Sequence, residues 1–229
     1  MNILRAALYF ITTLLIYLGV PLLGWGLLDV RGFLSEGARL GYAVCAAGFA
    51  LAVAIQALAG QEGIRGGVGQ NDRRVRRQTI VRFVMSLGLF GALFFLPFAD
   101  RRGLALIGLG AAARWAGVIL AGLGYLLVYW SGLALGRQYS PEVTIQKDHQ
   151  LITGGPYRAV RHPRYLGVIL LALGASLLFR SWIGLTACVP LLGILLGRIT
   201  DEERLLQQEF GEAWEAYRAR SWRLIPYLY

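Results

Sequence analysis

The run WAGVILAGLGYLLVYWSGLALG, Trp115–Gly136, contains 22 residues and no charge. Wound as a helix at about 1.5 Å per residue, it covers the roughly 30 Å of bilayer hydrocarbon. Three runs upstream read the same way: Ala6–Leu28 (23 residues), Leu40–Gly60 (21) and Ile80–Ala99 (20, broken only by Arg82). Downstream lie two 15-residue runs, Tyr165–Phe179 and Ile183–Gly197, separated by Arg180-Ser181-Trp182. They reach spanning length with a few flanking residues and predict a tight hairpin. The expected fold is an all-α, polytopic transmembrane bundle of about six spans, followed by an amphipathic C-terminal helix.

Composition agrees. Of 229 residues, 56% are apolar and 16% charged, against about a quarter charged in soluble domains. This excludes disorder, collagen-like repeats and a disulfide-stapled mini-protein, since Cys45 and Cys188 are the only cysteines and both sit in apolar runs. The first run exceeds a signal-peptide core and has no small-residue cleavage site at Pro21–Leu28, so it is expected to be a retained span.

With six spans both termini share a side, and that side collects 16 of the 23 cations: Arg5, five in the Gln61–Thr79 loop, five in Arg137–Arg164 and five from Arg198 onward. The opposite side holds Arg31, Arg39, Arg101, Arg102 and Arg180, while Arg82 and Arg114 lie in or beside spans. The positive-inside rule puts both termini in the cytoplasm, in a plasma or inner membrane if the source is prokaryotic. The net charge of +10 is therefore a topology and headgroup signal, and Arg73-Arg74-Val75-Arg76-Arg77 does not call for nucleic acid. The bilayer is the expected partner, and no obligate protein partner is evident.

Chemistry concentrates late in the chain. Residues 1–136 read as four spans and short loops. Residues 137–229 hold both histidines, and Asp201, Glu202, Glu203, Glu209, Glu212 and Glu215 account for six of the 13 acids. Ionisable residues beside membrane spans mark function. Gly108-Leu109-Gly110-Ala111-Ala112-Ala113 imitates a dinucleotide fingerprint but follows no strand. Gly132–Gly136 and Gly193–Gly197 have small-xxx-small spacing, which speaks only of helix contact. His149 and His162 lack a cysteine to complete a metal site, so no metal is expected.

In the connector, Gly154-Gly155-Pro156 forces a turn. Pro163 opens a helix with His162 at its cap, where free N–H groups favour an anionic group. Tyr157 and Tyr165 offer faces for a cation or an adenine ring. The same residues also suit an interfacial belt that anchors helix ends, and spacing alone leaves both readings open. Arg198 and Glu202, four apart, share a helix face.

The string Gly155-Pro156-Tyr157-Arg158-Ala159-Val160-Arg161-His162-Pro163-Arg164-Tyr165-Leu166-Gly167 is the densest motif. Together with His149-Gln150-Leu151-Ile152 upstream and Arg198 to Glu203, Phe210-Gly211 and Ile225-Pro226 downstream, it resembles the isoprenylcysteine carboxyl methyltransferase family. Phospholipid N-methyltransferases and small-thiol S-methyltransferases share much of the pattern. The resemblance covers Arg137–Pro226 and implies a membrane enzyme that uses S-adenosylmethionine on a lipophilic substrate. It implies a cofactor site of Gln146, His149, Gln150, Leu151, Ile152, Tyr157, His162, Pro163, Arg164 and Tyr165, closed by Glu202, with Arg198 binding substrate. Arg198 and Glu202 are the expected catalytic pair. Arg164 departs from the family, in which the position after His-Pro is commonly small or apolar, and such a cation suits a headgroup or anionic substrate.

A carboxylate acceptor is already ionised and needs no base, whereas an amine or thiol would need Glu202 or His162. The expected activity is methyl transfer to the carboxylate of an isoprenylcysteine-like or other lipophilic substrate. Alternatives are a phospholipid amine N-methyltransferase, a small-thiol S-methyltransferase, a nicotinamide-dependent reductase sharing the hairpin, and a non-catalytic scaffold or small-solute carrier.

Overall fold

The computed structural model describes residues 2–59, 73–74, 78–136, 144–145 and 150–228. The chain forms α1 (Asn2–Leu14), α2 (Val20–Trp25), α3 (Val30–Leu34), α4 (Gly37–Leu58), α5 (Gln78–Arg102), α6 (Ala111–Leu135), α7 (Pro163–Leu178), α8 (Trp182–Phe210) and α9 (Glu212–Arg218). Two-residue strands, Arg73–Arg74 and Thr144–Ile145, pair antiparallel. Five helical stretches among the described residues are long and apolar enough to cross a membrane: Ile3–Trp25, α4, α5, α6 and α8. The shorter α7 is also apolar.

The first span winds from α1 through a π-helical turn, Leu15–Gly19, into α2. Pro21 cannot donate the amide that would meet the Tyr17 carbonyl four residues back, and the buried Tyr42 hydroxyl donates to that carbonyl instead, at 2.7 Å. The Tyr17 ring stands edge-on to Phe49 and Tyr125, which stack with centroids 4.9 Å apart. This aromatic knot joins the π-helical turn of the first helical stretch to α4 and α6.

The contact that positions the functional end is α6 against α7. A Cβ placed on Gly124 would lie 2.7 Å from the Gly167 carbonyl oxygen, and one on Gly167 would lie 2.9 Å from that of Gly124. Seven residues away on each helix, Gly117 and Gly174 repeat the arrangement, each 2.6 Å from the other's carbonyl oxygen by the same measure. Lipid tails compete equally for apolar side chains, so close backbone approach is what holds two membrane helices together. Gly193 and Gly197 do not serve this purpose, nor does Gly136. A Cβ on Gly136, Gly193 or Gly197 meets nothing within 4 Å, and Gly136 instead ends α6 with φ +50°.

At the far end of the bundle Asp100, almost wholly buried, accepts both guanidinium NH groups of Arg114 at 3.1 Å and two N–H groups of Arg180 at 3.1 and 2.9 Å. Arg39 lies 3.5 Å away, its guanidinium over the Trp25 ring. Arg39, Arg114 and Arg180, expected in or beside that boundary, thus share one carboxylate that ties α4, α5, α6 and the α7–α8 turn. Arg180 takes a left-handed conformation in that turn, and the Ser181 hydroxyl caps α8 by accepting the Gly184 amide.

The polar C-terminal region differs from the expectation of a separate helix. α8 runs unbroken for 29 residues, Trp182 to Phe210, about 44 Å, longer than a bilayer core. Its apolar part, Trp182–Gly197, is followed by charged turns from Arg198 onward. Pro190 removes one i→i−4 hydrogen bond within its apolar part, and the helix nevertheless continues through Arg198 to Phe210. Gly211, at φ +49°, breaks it, and α9 turns back toward the start of α7.

Candidate functional site at the head of the hairpin

The site is built where α7 begins and α8 leaves the apolar layer. His162 caps α7, with Pro163 at its first position. The His162 backbone leaves the helical region at φ −124°, ψ 55°, which the following proline favours by excluding the α conformation. The segment before it is held by the C-terminal stretch: Arg161 N donates to the Trp222 carbonyl at 2.7 Å, His162 N to that of Arg223 at 3.2 Å, and Trp222 N to that of Ala159 at 2.8 Å.

Side chains from the two helices meet here. The Tyr165 hydroxyl donates to Glu202 Oε2 at 2.9 Å and receives Arg198 Nε at 3.5 Å. Arg198 is 6% exposed and His162 3%. The His162 ring stacks on Tyr165 with centroids 5.7 Å apart, its Nδ1 lies 3.9 Å from Glu202 Oε2, and its Nε2 lies 3.2 Å from Glu203 Oε1. Arg198 and Glu202 come together because they are one helical turn apart, and Tyr165 and His162 because they occupy the first turn of the facing helix.

Tyr157 is buried in a tight 3-10 turn, Gly155–Arg158. The turn presses on the end of α6, where a Cβ on Gly155, itself at φ +60°, would lie 3.3 Å from Ala134 Cβ. The Tyr157 carbonyl accepts the Tyr217 hydroxyl at 2.7 Å. Burial raises the Tyr157 phenol well above its ordinary value and the Glu202 charge adds to this, while Arg164 and a hydrogen bond with Ser131 oppose it. Tyr157 is thus a neutral hydroxyl at any physiological pH. Arg164 is half-buried on the same side. Gln150 is exposed and Leu151 and Ile152 half-buried in the segment leading to the turn. Gln146 and His149 lie outside the described residues.

Sequence reasoning singled out Glu202 but not its neighbour. Glu203 pairs with Arg161 Nε at 3.1 Å, with His162 Nε2, and through its other oxygen with Arg223 Nε at 3.0 Å. Burial pushes its carboxyl up, but the hydrogen bond and charge of His162, then Arg161 and Arg223, outweigh that and hold it at about 2. Consecutive helical residues point about 100° apart, so Glu202 faces Tyr165 and Arg198 while Glu203 faces the loop and the C-terminal stretch. The sequence signal was available: a second acid directly after the first, with Arg161 beside the motif histidine. Among the described residues no cluster of three His, Cys, Asp or Glu could hold a metal.

The chain is, by this geometry, a helical membrane protein with a part-buried Tyr–Arg–Glu–His cluster at one end of its bundle. Residues 112–213 match the family model of phospholipid methyltransferase. A protein-S-isoprenylcysteine O-methyltransferase of Schizosaccharomyces pombe (strain 972 / ATCC 24843) is 39% identical over 107 residues, 45% of each chain. A probable protein-S-isoprenylcysteine O-methyltransferase of Oryza sativa subsp. japonica is 27% identical over 117 residues, 50% of this chain and 61% of the relative. The matched region thus spans about half the length of these relatives. The solved structure of the eukaryotic intramembrane Ras methyltransferase ICMT (isoprenylcysteine carboxyl methyltransferase) aligns with a TM-score of 0.55 and 19% identity, covering 97% of this chain and 75% of that one; at that identity the likeness is one of fold. The chain is thus similar, over its C-terminal half, to phospholipid and isoprenylcysteine methyltransferases, and in fold to an intramembrane methyltransferase.

Proposed function

We propose that this protein is an integral-membrane, S-adenosylmethionine-dependent methyltransferase that esterifies the carboxylate of an isoprenylcysteine-like or other lipophilic substrate. The observation that carries the reading is the Arg198–Tyr165–Glu202 arrangement, in which a buried Arg198 meets a part-buried Tyr165 and Glu202 where α8 passes from apolar to charged residues, within the stretch that matches the family model. A headgroup delivered there keeps its tail among the helices. Residues 1–136 supply the membrane frame and residues 137–229 most of the chemistry, with both termini on the cytoplasmic, cation-rich side.

The residues present suit S-adenosylmethionine. Glu202 offers an acceptor to an ammonium, and the neutral Tyr157 and Tyr165 rings give flat surfaces to an adenine or a sulfonium. His162, Pro163 and Arg164 stand at the start of α7, and the family resemblance assigns Gln146, His149, Gln150, Leu151 and Ile152 to the cofactor as well. When bound, the cofactor supplies a methyl group carried on a positively charged sulfur. Arg198 holds an anionic acceptor in place, and orientation does most of the work. A carboxylate acceptor requires no proton to be removed.

The family model's description favours a second reading, methylation of a phospholipid amine, for which His162 or Glu202 would take the proton. Transfer of labelled methyl from S-adenosylmethionine in proteoliposomes, offered N-acetyl-farnesylcysteine, phosphatidylethanolamine or a small thiol, decides between them. Ester formation on the farnesylcysteine alone supports the carboxylate reading. Transfer to the amine alone replaces it, and transfer to none of the acceptors overturns it.

A further inference from the structure

Among the described residues, Glu203 is the one carboxylate that bridges the start of α7 and the C-terminal stretch. On one side it receives Arg161 and Arg223, which fixes its position and keeps it ionised. On the other it meets His162 Nε2 at 3.2 Å. An ionised carboxylate only accepts hydrogen bonds, so this contact requires the proton to sit on Nε2. The other ring nitrogen, Nδ1, is 3.9 Å from Glu202 Oε2, beyond hydrogen-bonding reach, and that oxygen already accepts the Tyr165 hydroxyl. The charged and titratable groups around the ring are Arg161 beside it, Tyr165 on α7, Arg198, Glu202 and Glu203 on α8, and Arg223 on the C-terminal stretch. Among the described residues none supplies a donor to Nδ1, and two acceptors standing side by side are satisfied by a donor placed between them.

We propose that Glu203 is a positioning residue: it fixes His162 as the Nε2-protonated imidazole and so presents the bare Nδ1 beside Glu202 as a two-acceptor cradle for an ammonium or N–H group. The cradle recognises a cationic or N–H-bearing end of a ligand. Its assignment to the cofactor's ammonium rests on the methyltransferase reading, whereas the ring state does not. Arg161 and Arg223 take part indirectly, by keeping the Glu203 carboxylate in place, and the pairing of residues 159–162 with residues 222–223 keeps His162 within its reach.

The experiment is nitrogen NMR of the full-length protein in nanodiscs with labelled histidine. The chain has two histidines, and the signal absent from His162→Gln assigns the ring. The expected wild-type spectrum shows Nε2 protonated and Nδ1 bare. In Glu203→Gln the amide can donate or accept, so the two tautomers mix, and affinity for S-adenosylmethionine measured by calorimetry falls about 10- to 100-fold, the range seen when an orienting partner behind a ligating histidine is removed. Gly193→Ala, on the open face of α8, keeps the wild-type ring state and affinity, which separates positioning from a general change in the fold. A bare Nε2, a doubly protonated ring, or a Glu203→Gln spectrum identical to wild type overturns the proposal. The expected ring state in a folded wild-type protein that binds no S-adenosylmethionine overturns the methyltransferase reading and leaves the positioning role standing.

Discussion

Replacing Gly174 with alanine tests whether the α6–α7 contact holds the site together. The new Cβ would sit 2.6 Å from the Gly117 carbonyl oxygen and 2.6 Å from the Ala121 amide nitrogen. Both are backbone atoms and cannot rotate away. Reaching the 3.4 Å of ordinary contact moves the helices apart by about 0.8 Å. A gap of that size forfeits between a quarter and a half of each dispersion contact, and several tens of atom pairs at about 0.1–0.2 kcal/mol each then lose about 2 kcal/mol. This agrees with the roughly 1–3 kcal/mol typical of overpacking and corresponds to a Tm lower by about 5 °C for a chain of this size. The control is Gly193→Ala, on the open face of α8. It makes the same gain in helix propensity without a clash and should leave Tm unchanged or slightly raised. The assay is thermal unfolding in one detergent, followed by tryptophan fluorescence. Equal melting of the two variants would refute the close-packing argument.

Arg198→Ala should reduce methyl transfer to near background while leaving cofactor affinity within a few-fold of wild type, measured by labelled-methyl assay and calorimetry on the same preparation. Asp100→Ala leaves Arg39, Arg114 and Arg180 without their shared carboxylate; stranding one side of a buried ion pair costs about 3–5 kcal/mol, so Tm should fall further than for Gly174→Ala. Glu203 is held at about 2 in the folded protein against an ordinary value of 4.5. It therefore stabilises the fold by about 3 kcal/mol above pH 4.5, and this stabilisation is lost as the pH falls from there toward 2. A stability-versus-pH series should show that acid-side loss in wild type and a flatter profile in Glu203→Gln.

The spans were legible because a helix crossing hydrocarbon must be apolar along its whole length, and four runs of 20 residues or more meet that demand without reference to the rest of the chain. Arg198 and Glu202 were legible as a pair because helical periodicity alone puts them on one face, and His162-Pro163 because proline fixes the backbone on both its sides. The α6–α7 contact was not legible. Glycine is common in membrane helices, and nothing local distinguishes Gly117 and Gly124, which meet a partner's backbone, from Gly193 and Gly197, which meet nothing. The carboxylate shared by Arg39, Arg114 and Arg180 joins four separate parts of the chain, so no window of sequence contains it. Glu203 was passed over because its partners, Arg161, His162 and Arg223, lie 42, 41 and 20 residues away. The unbroken length of α8 was missed because the shift from apolar to charged residues at Arg198 marks a change of solvent rather than a change of backbone.

The most direct test of the central claim is calorimetric titration of S-adenosylmethionine into the purified full-length protein, with Glu202→Ala and Gly193→Ala in parallel. The account predicts micromolar binding in wild type and Gly193→Ala, and its loss in a Glu202→Ala protein that still melts cooperatively. Absence of binding in folded wild-type protein, or undiminished binding in Glu202→Ala, would contradict it.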